Sequence, residues 1–136
     1  MQSRQALWAL IDAERARGVP ASRIALWGYS QGGAMAYATA LTYPEPLAGL
    51  MAMSTYLPGE SWLFEHRHPA NQGLPIFVAH GDQDEVVGPV LGERARDALR
   101  AVGYTVAWQT YPMGHDMSPA ELRDAGHWLS EIFRSS

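Results

Sequence analysis

A serine lies between two glycines in the stretch Gly28-Tyr-Ser-Gln-Gly32, directly after an apolar run. The run, residues 23–29, is typical of a buried strand in a parallel sheet, and the alanine-rich residues that follow Ser30 indicate a helix. Strand, tight turn and helix form the context of a nucleophile elbow of the form G-x-S-x-G. We expect that a side chain at either Gly28 or Gly32 would crowd such a turn. The pattern therefore predicts a nucleophilic Ser30 at the carboxyl end of the sheet.

An acid and a histidine follow two later apolar runs. Asp84 comes after residues 76–80, and His115 comes after residues 105–111. An alcohol needs a base within hydrogen-bond reach and a third group that orients the base, so His115 would take the Ser30 proton and Asp84 would hold the imidazole. The glycine-rich turn could instead be a turn without chemistry or a helix N-terminus that binds an anion, but these alternatives leave Asp84 and His115 unexplained.

The elements that must position these residues alternate along the chain in the order α-β-α-β-loop-β-α-β-α. The sequence predicts helices at residues 3–17, 31–41, 89–102 and 119–133, and strands at 23–29, 47–54, 76–80 and 105–111. Strands separated by helical crossovers indicate an α/β fold, with a mainly parallel sheet of about four strands and helices on both faces. Residues that follow the strands then meet at the carboxyl edge of the sheet. We expect the first helix to pack Leu7, Leu10 and Ile11 on that sheet.

The composition excludes several classes of function. The 136 residues are 47% hydrophobic, which suits a single domain over residues 1–136. The ten basic residues are all arginine and are scattered, so no nucleic-acid surface is predicted. With no cysteine, thiolate catalysis and thiolate metal sites are excluded. No apolar stretch approaches the roughly 20 residues of a membrane span, and we expect a soluble cytoplasmic protein.

The chain contains the stretches GYSQGGAMA, STYLPGE, LPIFVAHGDQDEVV and YPMGHDMSPAEL. These stretches resemble those of bacterial carboxylesterases related to acyl-protein thioesterases and lysophospholipases, in the α/β-hydrolase superfamily. The resemblance spans almost the whole chain. It implies Ser30, Asp84 and His115 as the triad, with the Gln31 N–H in the oxyanion hole. The implied reaction is hydrolysis of short-chain carboxylic esters through an acyl-serine, without metal or cofactor, and thioesters are chemically close substrates.

The sequence departs from this family in two ways. Glu85 and Gly88 stand where the family often has prolines in the acid loop, the loop that carries Asp84. Family members also carry strands before the first helix, and an H-G-x-G-type loop after one of them gives half of the oxyanion hole; losing one such donor costs about 10²–10³ in kcat. We therefore expect a truncated α/β-hydrolase fold in which the Ser30 strand has an unpaired apolar edge.

The open edge leads to two expectations. The chain would form a homo-oligomer that covers the edge, or it is a fragment of a longer protein. The alternative function is a catalytically weak hydrolase-fold module that binds a partner chain through this edge.

Residues 54–73 form a long connection with too much apolar surface for a disordered linker. The resemblance places its S-T-Y-L-P stretch near the acyl pocket, so Leu57 and Trp62 are expected to line the pocket or its mouth. Met113, beside His115, is a second candidate for the pocket wall, with core packing as the alternative.

Four other polar residues are candidates for a site. Asp82 is the rival of Asp84, although a loop acid beside a turn more often caps backbone N–H groups. His80 ends an apolar strand and is expected to be a buried histidine with satisfied hydrogen bonds. His66 and His68 have the spacing of metal ligands, but the loop offers no third ligand, so no metal site is predicted.

Overall fold

The computed structural model describes residues 2–135, with the side chains of residues 7–134. Within this part of the chain, five α-helices and four β-strands alternate with two short 3₁₀ helices at Ala21–Arg23 and Pro69–Asn71. The elements are α1 (Gln2–Ala16), β1 (Ala25–Tyr29), α2 (Gln31–Thr42), β2 (Gly49–Met53), α3 (Glu60–Glu65), β3 (Pro75–Gly81), α4 (Pro89–Ala101), β4 (Thr105–Tyr111) and α5 (Pro119–Ser135).

The four strands form one parallel sheet in the order β1-β2-β3-β4. The last residues of neighbouring strands are in register, Tyr29 opposite Met53 and Gly81 opposite Tyr111. The loops after all four strands therefore leave from one edge of the sheet. The α/β prediction is confirmed, and the strand order explains how residues far apart in sequence reach one site.

Side chains alternate between two apolar clusters, one on each face of the sheet. Leu50 and Ile76 belong to the larger cluster, which α2 and α4 cover. Met51 and Phe77 belong to the smaller cluster, which α5 covers with Ala125 and Trp128. The two central strands are buried on both faces, which is why their sequences are almost continuously apolar.

Helix α1 packs mainly on α2, so the prediction that it lies on the sheet was wrong. Its Ile11 is buried, and the indole N–H of Trp8 donates to the Thr39 carbonyl at 3.3 Å. Leu10, which was expected to pack inward, is 64% exposed. The physical reason is that α2 already covers the first two strands, so the apolar side of α1 meets a helix.

Strand β1 pairs with β2 alone in the described chain, and its other edge carries no partner. The Trp27 side chain on this strand is 50% exposed, although its indole N–H lies 3.1 Å from the Met53 sulfur. The unpaired apolar edge predicted for the Ser30 strand is therefore present. Among the described helices, none is both long and apolar enough to span a bilayer.

Candidate active site

Ser30 lies at the turn from β1 into α2, with φ 57° and ψ −125°. A residue other than glycine at positive φ is strained and persists only where neighbouring groups hold it. Here the Ser30 N–H donates to the Met53 carbonyl at 2.9 Å, and the Ser30 carbonyl accepts from the Thr55 hydroxyl at 2.6 Å. The N–H groups of Gly33 and Ala34 donate to the same carbonyl. The elbow is thus fixed from both β2 and α2.

Two glycines near Ser30, Gly28 and Gly33, leave no room for a Cβ, whereas Gly28 and Gly32 were the ones expected. A Cβ on Gly28 would collide with the Gly32 carbonyl, so this glycine is needed for the turn. A Cβ on Gly32 would meet nothing within 4 Å, so the prediction that it would crowd the turn was wrong. The tight position is Gly33, where a Cβ would lie 2.6 Å from the Thr55 methyl. Gly33 is the glycine of α2 that faces the end of β2.

The three predicted triad side chains lie in one hydrogen-bonded row. Ser30 Oγ is 3.0 Å from His115 Nε2, and His115 Nδ1 is 2.8 Å from Asp84 Oδ2. Because an ionised carboxylate only accepts, Nδ1 carries the proton and Nε2 is free to accept from the serine hydroxyl. This tautomer is the one that the base of a serine–histidine–aspartate triad requires.

Asp84 is held by the backbone of its own loop. Its Oδ1 accepts from the N–H groups of Val86 at 2.9 Å and Val87 at 2.8 Å, while Oδ2 faces His115. Burial acts to raise the pKa of Asp84, but the hydrogen bonds from His115, Val87 and Val86 outweigh it, and the net pKa is lowered. The carboxylate therefore stays ionised at neutral pH despite being buried.

His80 also takes part in the acid loop. Its ring is fully buried, its Nε2 donates to the Val87 carbonyl at 2.8 Å, and the same nitrogen is 3.5 Å from Asp84 Oδ2. Its Nδ1 has no hydrogen-bond partner among the described residues, so the expectation of a fully satisfied histidine holds for one nitrogen only. His80 thus ties the far end of the acid loop back to strand β3. The apolar run before His80 does not predict its contact with the acid loop.

The acid loop and the loop after β4, which carries His115, are joined by backbone hydrogen bonds. Asp82 N–H donates to the Tyr111 carbonyl at 2.9 Å, and Gln83 N–H donates to the Met113 carbonyl at 3.0 Å. A Cβ on Gly81 would collide with the backbone carbonyls of residues 113 and 114, so glycine permits this approach. The Asp82 side chain is exposed and makes no side-chain hydrogen bond within the described chain. The capping role considered for Asp82 belongs to Asp84.

Two residues that sequence reasoning missed support His115 and Ser30. The Tyr29 ring lies against the His115 imidazole, with 4.9 Å between centroids and 35° between planes. Thr55 holds the Ser30 carbonyl, as described above. A signal existed for both, because Tyr29 is inside the elbow motif and Thr55 follows the end of β2, where side chains reach the carboxyl edge.

Gln31 is the first residue of α2 and directly follows Ser30. N–H groups in the first turn of a helix have no carbonyl partner in the helix, so the Gln31 N–H is available beside Ser30. This is the position at which the predicted oxyanion donor would act.

A cavity of 230 Å³ lies beside the carboxyl edge of the sheet, between the connection after β2 and helix α4. Its lining residues are Tyr56, Leu57, Glu60, Leu91, Arg94 and Ala95. The structure therefore places Leu57 on a cavity wall. Trp62 is instead stacked on His66 and is 39% exposed. Met113 packs with the apolar cluster under α5.

A larger cavity, of 430 Å³, lies at the opposite end of the sheet. It is lined by Ser22, Leu47, Ala48, Pro75, Trp128, Glu131 and Ile132. Ser22, Ala48 and Pro75 precede or begin strands β1, β2 and β3, so this cavity faces the amino edge. The Ser30, His115 and Asp84 side chains lie at the carboxyl edge, as does the smaller cavity, although none of the three lines that cavity.

The two histidines with metal-ligand spacing serve local structure. His66 Nδ1 lies 2.8 Å from the Trp62 carbonyl, and His68 Nδ1 accepts from the Ala70 N–H at 3.0 Å. Over the described residues, no three histidine, aspartate or glutamate side chains converge in a way that could hold a metal ion.

A parallel sheet with a serine elbow at its carboxyl edge and a Ser-His-Asp row defines part of an α/β-hydrolase fold. The chain belongs to the Phospholipase/Carboxylesterase family, whose sequence profile matches residues 1–133. It is 44% identical over 126 residues to acyl-protein thioesterase 1 of Neurospora crassa, covering 90% of this chain and 51% of that protein. It is 35% identical over 129 residues to a probable carboxylesterase of Oryza sativa, covering 94% of this chain and 48% of that protein.

Solved structures give the same fold. SOBER1 of Arabidopsis thaliana matches with a TM-score of 0.91 and 30% identity, over 96% of this chain and 62% of that one. The carboxylesterase of Bacillus cereus matches with a TM-score of 0.79 and 21% identity, over 95% of this chain and 59% of that one, which bears on the fold alone. The chain spans about half the length of the curated relatives it matches.

Proposed function

We propose that this protein is a serine hydrolase that cleaves short-chain carboxylic esters through an acyl-Ser30 intermediate. The observation that carries the proposal is the hydrogen-bonded row from Ser30 through His115 to Asp84, with distances of 3.0 and 2.8 Å. The strained backbone of Ser30 supports it, since such strain is concentrated at functional sites. Acyl-protein thioesterases among the relatives make thioesters a second substrate class of the same chemistry.

In the first half of the reaction, His115 Nε2 takes the proton of the Ser30 hydroxyl as Oγ attacks the carbonyl carbon of the ester. The carbonyl oxygen becomes an oxyanion, which the Gln31 N–H stabilises. His115 then gives its proton to the leaving alkoxide, or thiolate, as the carbon–oxygen or carbon–sulfur bond breaks. An acyl-serine and a free alcohol, or thiol, result.

In the second half, His115 removes a proton from a water molecule that attacks the acyl carbon. The tetrahedral intermediate collapses, Ser30 Oγ leaves with the proton from His115, and the carboxylic acid is released. Throughout, Asp84 keeps the proton on Nδ1 and stabilises the imidazolium that forms in each half. Its lowered pKa suits this role, because it remains charged.

The acyl group is proposed to occupy the 230 Å³ cavity. Leu57 and Leu91 give it apolar walls from two sides, and an acyl chain gains binding free energy from such contact. A space of this size suits a short chain. Trp62 and Met113 stay predictions for the mouth of the site, because neither lines this cavity.

A fluorophosphonate, which reacts only with an activated serine, tests the proposal. Purified protein is treated with the reagent and its intact mass is measured, beside Ser30→Ala, His115→Ala and the control Ser130→Ala, which removes an exposed serine of α5. We expect one adduct on the wild type and on Ser130→Ala, and none on Ser30→Ala. Equal labelling of wild type and Ser30→Ala, or ester hydrolysis unchanged in His115→Ala, would rule the triad assignment out.

A second candidate function, binding of another chain, is favoured by the free edge of β1. Unpaired N–H and carbonyl groups there can accept a further strand, and the half-exposed Trp27 offers apolar contact. We propose that a second copy of this chain covers the edge. Light scattering after size exclusion should give a dimer or larger mass that Trp27→Glu lowers, whereas a monomeric wild type would rule self-association out. A wild type that is monomeric and takes no fluorophosphonate would favour a separate partner.

A further inference from the structure

The buried histidine at the end of β3 contacts the acid loop, although the proposed reaction does not use it. His80 is 0% exposed, and its Nε2 donates to the Val87 carbonyl at 2.8 Å. Because a carbonyl oxygen only accepts hydrogen bonds, Nε2 carries the ring proton. At the other ring nitrogen, a Cβ on Gly92 of α4 would lie 2.5 Å from Nδ1, so α4 packs closely on the ring. The imidazole is therefore fixed between the acid loop and α4.

Val87 connects this imidazole to the proposed triad. Its carbonyl accepts from His80, and its N–H donates to Asp84 Oδ1 at 2.8 Å. Asp84 Oδ2 accepts from His115 Nδ1 at 2.8 Å, and His115 Nε2 is 3.0 Å from Ser30 Oγ. A continuous row of hydrogen bonds therefore runs from His80 through the acid loop to Ser30.

The two ends of the acid loop are held in different ways. At its start, backbone N–H groups donate to carbonyls of the loop after β4. At its far end, Val86 is 72% exposed, and the carbonyl of Val87 is bound by the His80 side chain. These two valines supply the N–H donors to Asp84 Oδ1. The orientation of the carboxylate therefore depends on a segment whose far end is anchored by His80.

A second contact joins His80 to the acid directly. Its Nε2 lies 3.5 Å from Asp84 Oδ2, the oxygen that His115 binds. At this distance the contact is weaker than the bond to Val87. It nevertheless places the imidazole beside the carboxylate, so a displaced ring would change both the bond that fixes the loop and the space next to Oδ2.

We propose that His80 is a positioning residue, which holds the Val87 backbone so that Asp84 stays within hydrogen-bond reach of His115. This inference rests on the proposed serine hydrolase function. Without the imidazole donor, the carbonyl of the buried Val87 loses a hydrogen bond, and the far end of the acid loop can replace it by turning toward water. Asp84 would then move relative to His115, and a misplacement of about 1 Å costs up to 10²-fold in rate.

The test measures fluorophosphonate labelling rates for wild type, His80→Gln and His80→Met. The amide nitrogen of glutamine can take the place of Nε2 and donate to the Val87 carbonyl, whereas methionine fills a similar space without a donor. We expect His80→Gln to label within about threefold of wild type, and His80→Met to label about 10- to 10²-fold more slowly. The matched control is His127→Met, at an exposed position of α5, which should label like wild type. Equal rates for His80→Gln and His80→Met would overturn the inference.

The same substitutions in an Asp84→Asn background separate positioning from a merely structural role. Because His80 is proposed to act through the Asp84 carboxylate, His80→Met should slow labelling much less in this background than in wild type. A structural role would slow labelling by the same factor in both backgrounds, and that result would also overturn the inference.

A further measurement needs no activity. The ¹H resonance of His115 Nδ1–H, which a hydrogen bond to a carboxylate moves far downfield, should appear in wild type and His80→Gln and be lost or moved upfield in His80→Met. An unchanged resonance in His80→Met would contradict the inference. Should His80→Met not fold, ¹⁵N shifts of wild type decide, because a proton on His80 Nδ1 instead of Nε2 would remove the bond to Val87. If no form of the protein takes the label, the proposed function fails, and the His115 resonance still tests whether His80 positions Asp84.

Discussion

The hydroxyl of Thr55 donates a 2.6 Å hydrogen bond to the carbonyl oxygen of Ser30, joining the end of β2 to the elbow after β1. Thr55 is 2% exposed, so its buried hydroxyl has little access to water in place of that carbonyl oxygen. Its methyl group meanwhile occupies the space that a side chain on Gly33 would need. One residue of β2's loop thus supports both the strained φ of Ser30 and the close approach of α2.

Replacing Thr55 by valine keeps this shape and removes the hydrogen bond. We expect Thr55→Val to lower the free energy of unfolding by ~0.5–1.5 kcal/mol, because the Ser30 carbonyl loses one hydrogen bond and keeps those from Gly33 and Ala34. The labelling rate of Ser30 should fall with it. Thr55→Ser, which keeps the hydroxyl, should retain most of the labelling rate. Urea unfolding and fluorophosphonate labelling measure the two effects, and equal behaviour of the two variants would show that the hydroxyl has no such role.

Alanine substitutions at the two glycines of the elbow motif should have opposite effects on stability. Gly28→Ala places a Cβ against the Gly32 carbonyl and should destabilise the fold by ~1–3 kcal/mol or prevent folding. Gly32→Ala places a Cβ in open space within α2 and should be neutral or stabilising, by up to ~1 kcal/mol. Thermal unfolding of the two variants beside the wild type measures both. A loss in Gly32→Ala as large as in Gly28→Ala would contradict the geometry.

The sequence predicted the elements that have a strong local signal. Apolar runs and helical periodicity placed the four strands and four of the helices to within two residues at every end, and both predicted ends of β4 coincide with the observed ones. The site followed from the same signal, because residues after parallel strands meet at one edge. Helix α3 was missed, since its six residues are too few for a periodic pattern and its first turn follows Gly59, which gives no side-chain cap.

The features that the sequence did not predict depend on contacts between distant parts of the chain. An apolar face on α1 does not say whether a sheet or another helix will cover it. Nor does a glycine reveal which neighbour it faces, so Gly32 was expected to be tight and Gly33 was not singled out. The burial of Glu121, which is 0% exposed, has the same origin, because only its distant neighbours decide it.

A matched pair of helix glycines tests the packing of His80. In Gly92→Ala, the added Cβ on α4 would lie 2.5 Å from His80 Nδ1, so we expect a loss of ~1–3 kcal/mol and a displaced acid loop. In Gly126→Ala, within α5, the Cβ meets nothing within 4 Å, and stability should rise by ~0.5–1 kcal/mol. Urea unfolding measures both. A gain in Gly92→Ala would mean that His80 can move without cost.

The lowered pKa of Asp84 predicts a pH dependence of stability. A folded pKa below the unfolded value near 3.9 adds stability above that pH, and this stability is lost as the pH falls through the folded pKa. We therefore expect the wild type to exceed Asp84→Asn in free energy of unfolding at pH 6, with a gap that narrows below pH 4. Asp82→Asn, on the same loop with an exposed side chain, is the control. Urea unfolding from pH 2.5 to 7 measures the gap, and a constant gap for Asp84→Asn would refute the prediction.

The size of the 230 Å³ cavity predicts how acyl-chain preference can be altered. Leu91→Trp, on the α4 wall, should fill much of the cavity and lower kcat/KM for an octanoyl ester about tenfold or more relative to an acetyl ester. The acetyl ester should be hardly affected, because its short chain needs little of this space. Leu122→Trp, at a half-exposed position of α5 outside the cavity, is the matched control and should leave the ratio unchanged.

Kinetics with nitrophenyl esters of two, four and eight carbons measure that ratio for both variants. A loss that is equal for all three chain lengths would mean that the acyl group lies elsewhere, since a filled cavity excludes long chains selectively. A change of ratio in Leu122→Trp of the same size would point to the added indole and not to its position. Only a length-dependent loss confined to Leu91→Trp agrees with an acyl group between Leu57 and α4, because only there does the new side chain take up the space of the substrate.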